Sequence, residues 1–287
     1  MKKVIVIGSG PAGISASLYL KRSGKIDVTV ISKGMGALEK AEKIENFYGF
    51  ETAVTGAELH KRGVEGAKNL GIDFLEEQVV SLNFDENFKP VVETDKNKYI
   101  SDAVLIATGA SRKSPNIKGL KEFEGKGISY CAVCDAFFYR NKNVAVLGNG
   151  EYALHEAMIL AQTSKSVTIL SNGLEINAEI PENINIIRKK TASINGKKTV
   201  QSVTFDDGDV FETSGIFIAL GVAGSTDLAR KIGVEVSQNK IVVNDDMQTN
   251  IPFIFAAGDC TDGIMQVSKA VADGARAGLA MIKFLKT

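Results

Sequence analysis

The stretch Gly8-Ser9-Gly10-Pro11-Ala12-Gly13 directly follows the apolar run Lys3–Ile7 and precedes apolar residues at helical spacing over Ile14–Leu20. A further β-rich run, Asp27–Ile31, completes the pattern of a βαβ unit. In such a unit the glycine turn brings the backbone close to a pyrophosphate, which binds free N–H groups at the helix N-terminus. The stretch therefore predicts a dinucleotide-binding unit. The second strand continues into Ser32-Lys33, without the acid that usually binds a ribose hydroxyl, so the turn does not identify the dinucleotide.

The same pattern occurs a second time, with Gly148-Asn149-Gly150-Glu151-Tyr152-Ala153 between a strand-like run and a helix-like run. The sequence therefore predicts an α/β fold with two Rossmann-like, three-layer domains, the second inserted into the first. The first domain is expected over residues 1–111 and 244–287, and the inserted domain over 112–243. Three further runs support this scheme, namely the strands Ile100–Ala107 and Ile254–Ala257 and the C-terminal helix Gln266–Leu285.

The amino-acid composition argues against nucleic-acid-binding and membrane-spanning proteins. The 287 residues are 44% hydrophobic, with 34 Lys and Arg against 34 Asp and Glu, so nucleic acid is not expected as a partner. No apolar stretch approaches the roughly 20 residues that span a bilayer. The apolar run after Met1-Lys2-Lys3 ends at once in the glycine turn, which indicates a strand and not a signal peptide. A cytoplasmic enzyme is expected.

The run Cys131-Ala132-Val133-Cys134-Asp135 has the spacing of a redox-active dithiol, with an acid placed to exchange protons with a departing thiolate. Half of a zinc site and two buried small side chains are the alternatives. Zinc is poorly supported, because the remaining candidate ligands show no paired spacing. We expect Cys260 to be a buried small residue, and His60 and His155 to lie on helix surfaces.

These motifs together resemble the low-molecular-weight thioredoxin reductase family over nearly the whole chain. The resemblance implies non-covalent FAD in the discontinuous domain, a dithiol on the inserted domain, a homodimer, and a thioredoxin disulfide as substrate. By the family's roles, Cys134 faces the flavin, Cys131 attacks the substrate disulfide and Asp135 is the proton donor and acceptor. The matching runs are Gly8 to Gly13, Ile44-Glu45-Asn46-Phe47, Ala107-Thr108-Gly109-Ala110, Cys131 to Phe138 and Ala256-Ala257-Gly258-Asp259.

The resemblance also implies a set of residues that bind FAD. They lie in the first glycine turn and at five further places along the discontinuous domain. Two of these places depart from the family: Met35-Gly36-Ala37-Leu38 replaces a Gly-Gly-Gln-Leu run, and Met265-Gln266-Val267 replaces an Arg-Gln pair. The implied residues are Gly8, Ser9, Gly10, Pro11, Ala12, Gly13, Ala37, Leu38, Asn46, Thr108, Gly109, Ala110, Gly258, Asp259, Gln266 and Val267.

The main departures fall where NADPH binds in the family. Ser171-Asn172-Gly173 replaces a His-Arg-Arg run, and Ser and Asn cannot form the bidentate charged bonds that arginine makes to a 2′-phosphate. We therefore interpret the second glycine turn as kept for strand-to-helix packing. The pattern resembles the ferredoxin-dependent flavin thioredoxin reductases, in which a flavin accepts single electrons and passes them on as a pair.

Three alternatives remain open on the sequence. The first is an NADPH-dependent thioredoxin reductase with atypical NADPH contacts, and the second is an FAD-dependent dithiol oxidase that uses oxygen. The third is a flavin-binding redox sensor without catalytic activity, against which the intact Cys-x-x-Cys-Asp run argues. An acidic ferredoxin would dock on a basic surface, for which Arg188-Lys189-Lys190 and Lys197-Lys198 are candidates.

Overall fold

The structure, a computed structural model, describes residues 1–110 and 115–286. The chain forms two compact units: Met1–Arg112 with Gly224–Thr287, and Lys113–Ala223. The first predicted boundary, between residues 111 and 112, lies outside the described residues. The second differs from the prediction, because the chain returns to the first unit at Gly224 and not at residue 244.

The helix Ser225–Lys231 explains the early return. It packs against the first unit, where Lys231 Nζ donates a hydrogen bond of 2.9 Å to the carbonyl oxygen of Val80. Ile241, further along, donates its N–H to the Cys260 carbonyl at 2.8 Å. Residues 224–243 therefore belong to the first unit through tertiary contacts that local sequence does not reveal.

The first unit contains two sheets, a two-stranded ribbon and four α-helices. Its main sheet has five parallel strands in the order β18-β7-β1-β2-β3, while β4-β5-β6 and β16-β17 are antiparallel. A short 3-10 helix covers Gly36–Lys40. In chain order the elements are β1 (Lys2–Ile7), α1 (Pro11–Arg22), β2 (Ile26–Ser32), α2 (Gly56–Asn69), β3 (Asp73–Glu76), β4 (Val79–Phe84), β5 (Pro90–Thr94), β6 (Lys98–Ile100), β7 (Ala103–Ile106) and, after the second unit, α5 (Ser225–Lys231), β16 (Val236–Ser237), β17 (Lys240–Ile241), β18 (Ile254–Ala256) and α6 (Val267–Lys286).

The second unit repeats the parallel architecture. Its five-stranded parallel sheet has the order β11-β10-β9-β15-β8. The strands β12, β13 and β14 form a separate antiparallel sheet. The predicted α/β class with two Rossmann-like units is therefore confirmed. The elements are β8 (Ile128–Ser129), α3 (Ala132–Asp135), a 3-10 helix (Ala136–Tyr139), β9 (Asn143–Leu147), α4 (Glu151–Ala161), β10 (Ser166–Leu170), β11 (Asn185–Ile187), β12 (Thr191–Gly196), β13 (Val200–Phe205), β14 (Val210–Glu212) and β15 (Ile216–Ile218).

One predicted strand is divided in two. The apolar run Ile100–Ala107 contains the end of β6 and all of β7, with a break at Ser101 and Asp102. Asp102 exchanges hydrogen bonds with Lys3, through its N–H to the Lys3 carbonyl and its carboxylate from the Lys3 N–H, both at 2.8 Å. This pairing turns the chain from the antiparallel sheet into the parallel one.

Helices α1 and α6 approach each other closely because small residues line their interface. An ideal Cβ on Gly274 would lie 2.1 Å from the carbonyl oxygen of Ala12, and one on Gly278 would lie 2.9 Å from that of Ala16. Ser15 Oγ also donates to the Val271 carbonyl at 2.8 Å. The glycines of α6 therefore let it lie directly against the helix that follows the first glycine turn. No helix in residues 1–110 and 115–286 is long and apolar enough to cross a membrane.

We predict that Gly274→Ala lowers the free energy of unfolding by about 1–3 kcal/mol, because the added methyl group overlaps the backbone of α1. Gly66→Ala is the matched control: Gly66 lies in α2 with no heavy atom within 4 Å of its Cβ position, so the same change should stabilise the helix by about 0.5–1 kcal/mol. Urea unfolding followed by circular dichroism measures both. Equal effects at the two positions would contradict the packing argument.

Candidate functional site

The first glycine turn forms an open cradle at the carboxyl end of β1. Gly8 has a φ of +108°, and a Cβ there would lie 2.4 Å from the Ala107 carbonyl oxygen; a Cβ on Gly13 would lie 2.0 Å from the Gly8 carbonyl oxygen. Gly10, in contrast, has no heavy atom within 4 Å of its Cβ position. The first turn of α1 carries no acidic residue and its N-cap, Gly10, has no side chain. Free N–H groups therefore face open space, as a phosphate requires.

Two neighbouring strand ends bring further polar groups to the same edge of the sheet. The Ala107 N–H donates to the Ile7 carbonyl at 2.8 Å, and the Ala257 N–H donates to the Ile106 carbonyl at 3.1 Å. Thr108 Oγ1 and Asp259 Oδ1 are buried atoms without a hydrogen-bond partner. Burial raises the pKa of Asp259. Because buried polar atoms are normally paired, these two fit the hydroxyl and phosphate groups of a bound dinucleotide.

The structure brings only some of the other predicted FAD-binding residues into contact with one another. Asn46 Nδ2 donates to Gln266 Oε1 at 3.0 Å, so the structure brings these two together, next to Val267 at the start of α6. Ala37 is exposed and Leu38 is buried in the 3-10 helix, and the Leu38 carbonyl accepts from the Ala41 N–H. No described hydrogen bond links them to the glycine turn. Gly109 and Ala110 follow Thr108 at the end of β7.

The sequence analysis missed a contact of the glycine turn. His60 Nε2 lies 2.9 Å from Ser9 Oγ, and burial lowers the pKa of the imidazole. His60 and His155 lie on helices α2 and α4, as expected, and both side chains are partly exposed. Ser9 and His60 are 51 residues apart, and no local pattern connects them.

Cys131 and Cys134 form a disulfide in the second unit. Cys131 is the N-cap of α3, and its sulfur accepts a hydrogen bond of 3.2 Å from the Cys134 N–H. Cys131 is 4% exposed, whereas Cys134 is exposed. The predicted pairing of these cysteines is therefore present, with Cys134 as the accessible partner in the disulfide form.

Ser129 connects the disulfide to Asp135. Its Oγ donates to Asp135 Oδ2 at 2.7 Å and accepts from the Cys131 N–H at 3.1 Å. Ser129 is 4% exposed, so this link is protected from competing water. The sequence analysis did not identify Ser129, although its position two residues before Cys131 is a signal that was available. The arrangement holds the carboxylate of Asp135 beside the dithiol, where a proton donor is needed.

The second glycine turn is covered by the chain itself. Asn149 Nδ2 donates to the Glu175 carbonyl at 2.8 Å, and the Asn177 N–H donates to the Asn149 carbonyl, also at 2.8 Å. Glu151 adds a carboxylate to the first turn of α4. Residues 175–177 therefore lie where the turn would otherwise be open, and the helix start carries the charge that disfavours a phosphate.

Of the residues that replace the family's arginine run, Ser171 is buried and Asn172 is hydrogen-bonded within the chain. Ser171 is fully buried, and Asn172 Oδ1 accepts from the Thr191 N–H at 2.8 Å. The packing interpretation of the second turn holds for Gly148, where a Cβ would lie 2.1 Å from the Ala219 carbonyl oxygen. It does not hold for Gly150, whose nearest neighbour to a Cβ is 3.9 Å away.

Cys260 is fully buried, as expected. Its Sγ donates to the carbonyl oxygens of Ala257 and Ile106 at 3.2 and 3.3 Å, and burial raises the thiol pKa to about 12. A thiol with this pKa is almost entirely protonated at neutral pH, so Cys260 is a packing residue and not a third redox thiol.

We predict that iodoacetamide at pH 8 does not label Cys260 in the folded protein after reduction of the disulfide, because neither access nor thiolate is available there. Labelling should appear at Cys260 only in urea, whereas Cys134, which is exposed, should be labelled without denaturant. Peptide mass spectrometry measures each site. Equal labelling rates at Cys134 and Cys260 in the folded protein would contradict this assignment.

Comparisons with known proteins agree with this geometry. The family model described as pyridine nucleotide-disulphide oxidoreductase matches residues 2–274. The thioredoxin reductase of Aquifex aeolicus (strain VF5) is 35% identical over 301 residues, covering 98% of this chain and 93% of the relative. That of Listeria innocua serovar 6a (strain ATCC BAA-680 / CLIP 11262) is 32% identical over 301 residues, with 99% and 93% covered.

Solved structures are similar along the whole chain. The atypical thioredoxin reductase TRi from Desulfovibrio vulgaris Hildenborough is 35% identical, with a TM-score of 0.94 and coverage of 100% of this chain and 98% of that one. A ferredoxin-flavin thioredoxin reductase from Clostridium acetobutylicum is 30% identical, with a TM-score of 0.75 and coverage of 100% and 99%. The open glycine cradle and the unpartnered Thr108 and Asp259 fit FAD. The chain therefore belongs to the thioredoxin reductase family of pyridine nucleotide-disulphide oxidoreductases, and its cofactor is FAD.

Proposed function

We propose that this flavoprotein disulfide reductase reduces a thioredoxin through Cys131 and Cys134, with reduced ferredoxin as its electron donor. The observation that carries the choice of donor is the covered second glycine turn, where Asn149 is bonded to Glu175 and Asn177. The ferredoxin-flavin thioredoxin reductase among the similar structures supports the same choice. We place the enzyme in the cytoplasm as a homodimer, as the family resemblance implies.

Bound FAD supplies the electron pair that opens the Cys131–Cys134 disulfide. The Cys131 thiolate then attacks one sulfur of the thioredoxin disulfide and releases the other as a thiolate, which takes a proton from protonated Asp135. Cys134 next gives its thiol proton to Asp135 and attacks Cys131 in this mixed disulfide. The second thioredoxin thiolate is released and takes that proton, and the starting bond is restored. Because Cys131 is 4% exposed in the disulfide form, this sequence requires that reduction or substrate binding exposes it.

The surface beside the disulfide suits a protein substrate. Val133, Phe137 and Phe138 are 47%, 70% and 67% exposed, and they lie within four residues of a cysteine. Large exposed aromatic side chains of this kind mark interaction sites. The Arg140 guanidinium lies 5.7 Å from the centre of the Phe137 ring and holds it in place. We therefore assign these side chains to contact with thioredoxin.

Two observations argue against a nicotinamide donor. Residues 175–177 occupy the second turn through bonds to Asn149, so a pyrophosphate would have to displace them. Asn172 is bonded to Thr191 and Ser171 is buried, so neither replaces the arginines that would bind a 2′-phosphate. A protein donor needs no pocket of this kind.

The structure distinguishes the two basic runs considered for ferredoxin. Lys189 pairs with Asp207 and Asp209, and Lys190 Nζ lies 3.2 Å from Asp206 Oδ2. These contacts largely neutralise the run Arg188–Lys190. Lys197 and Lys198 are exposed between β12 and β13, and no described ion pair involves them. We therefore favour Lys197 and Lys198 as part of the ferredoxin contact.

The electron donor can be tested on the purified FAD-loaded protein without oxygen. We predict that the flavin absorbance is unchanged by excess NADPH or NADH, and that ferredoxin held reduced by its own reductase bleaches it. Oxidised thioredoxin should then restore the absorbance. Bleaching by NADPH within seconds would identify an NADPH-dependent reductase, whereas oxygen consumption with small dithiols and no response to ferredoxin would identify a dithiol oxidase. Reduction of the flavin without transfer to thioredoxin would favour the sensor.

The docking surface can be tested by charge reversal. We predict that Lys197→Glu with Lys198→Glu slows flavin reduction by ferredoxin about tenfold at low ionic strength, because steering of an acidic partner is lost. The difference should shrink as salt is added. Lys283→Glu with Lys286→Glu, both exposed on α6, is the control for net charge. Stopped-flow rates measure both, and equal slowing in the two variants would reject this surface.

A further inference from the structure

A buried carboxylate lies at the backbone amide that follows Cys131. Glu156 is 1% exposed, and its Oε2 accepts a hydrogen bond of 2.7 Å from the Ala132 N–H. Glu156 belongs to α4, the helix that follows the second glycine turn, while Ala132 is the first residue of α3. The carboxylate therefore acts between two elements, from a position 24 residues away from the amide.

The bond to Ala132 has two physical consequences. The hydrogen bond of 2.7 Å fixes the backbone between the cysteines, and this distance is within the range of charge-assisted hydrogen bonds. An ionised carboxylate at this buried position would be poorly screened by solvent, so it would act on charges that form nearby. A thiolate on Cys131, the residue before the bonded amide, would be such a charge, and the Cys131 side chain is itself buried.

The sulfur of Cys131 has a different partner. It accepts from the Cys134 N–H at 3.2 Å, and the Ala132 N–H, which also follows Cys131, is used by Glu156. Glu156 thus engages an amide that could otherwise stabilise a Cys131 thiolate and adds a charge that opposes that thiolate. Both effects act in the same direction.

We propose that Glu156 is a positioning residue that makes the Cys131–Cys134 pair a stronger reductant, by holding the Ala132 amide and by opposing a thiolate on Cys131. This inference rests on the proposed dithiol function, but on neither ferredoxin nor thioredoxin. The charge of Glu156 destabilises the reduced, ionised pair and leaves the disulfide unaffected. The equilibrium is therefore shifted toward the disulfide, and the electrons are transferred more readily to a substrate.

Other titratable groups face this region. His155 Nδ1 lies 3.4 Å from Glu156 Oε1, Asp135 is bonded to Ser129, and the hydroxyl of Tyr152 lies 3.5 Å from the Tyr130 carbonyl. The effect of Glu156 on a Cys131 thiolate should grow between pH 7 and pH 9, where ordinary thiols ionise.

The test compares Glu156→Gln with the unaltered protein. Glutamine keeps an oxygen that can accept from Ala132 and removes the charge. The FAD-loaded proteins are equilibrated in buffers of reduced and oxidised dithiothreitol without oxygen, quenched by alkylation, and the Cys131–Cys134 dithiol is counted by mass spectrometry. At pH 9 we expect the equilibrium constant for reduction to rise about fivefold in Glu156→Gln, which is about 20 mV for a two-electron couple. At pH 6 the two proteins should agree within twofold.

Glu182→Gln is the matched control, because Glu182 is an exposed carboxylate of the same unit. It should leave the equilibrium unchanged. An unchanged equilibrium in Glu156→Gln at pH 9 would overturn the proposal, and a loss of stability alone would assign Glu156 a purely structural role. If the unaltered pair does not exchange with dithiothreitol at all, the proposed dithiol function itself fails, which is a separate outcome.

A second measurement needs no substitution of Glu156. In Cys134→Ser, the pH dependence of iodoacetamide labelling at Cys131, followed by peptide mass spectrometry to separate it from Cys260, reports the pKa of the Cys131 thiol. We expect this pKa to lie above about 8.5, the ordinary value for cysteine, and to fall by about one unit when Glu156→Gln is added. A Cys131 pKa below 7 in Cys134→Ser would contradict the proposed action of the carboxylate.

Discussion

The close approach of Gly8 to the Ala107 carbonyl, at the carboxyl edge of the first sheet, is the constraint on which the FAD site depends. A side chain at Gly8 would lie 2.4 Å from that oxygen, and one at Gly13 would meet the Gly8 carbonyl. Parallel pairing of β1 with β7 and of β7 with β18 then brings Thr108 and Asp259 to the same edge. Their buried, unpartnered oxygens are tolerable because a polar ligand is expected to pair with them.

The second unit keeps the same architecture, but its glycine turn is bonded to the chain itself. Gly148 is still required by packing against Ala219, so the strand-turn-helix geometry persists. The turn itself is bonded to Glu175 and Asn177, and Asn172 is bonded to Thr191. The side chains of Asn149 and Asn172 are thus hydrogen-bonded within the chain. Helix α4, which starts at this turn, contains Glu156, whose carboxylate binds the Ala132 amide between the two cysteines.

Polar contacts around the disulfide hold the Asp135 carboxylate and the Ala132 amide in fixed positions. Ser129 holds Asp135, the proposed proton donor, at 2.7 Å, and Glu156 holds the Ala132 amide. Because Ser129 and Glu156 are buried, their hydrogen bonds are worth more than the same contacts in water and are costly to break. The exposed Val133, Phe137 and Phe138 add an apolar surface directly beside this polar arrangement.

Local patterns in the sequence determined the two βαβ units, the dithiol and the burial of Cys260, because strand and helix periodicity and glycine turns depend on neighbouring residues. Only the tertiary structure decided where the chain returns to the first unit, since α5 is assigned by its contact with Val80. The same holds for His60 at Ser9, for Glu175 over the second glycine turn and for Glu156 at Ala132. The hydrogen bonds of His60, Glu175 and Glu156 join residues 24 to 51 positions apart. Neither composition nor spacing encodes which distant polar groups will pair once the core has packed.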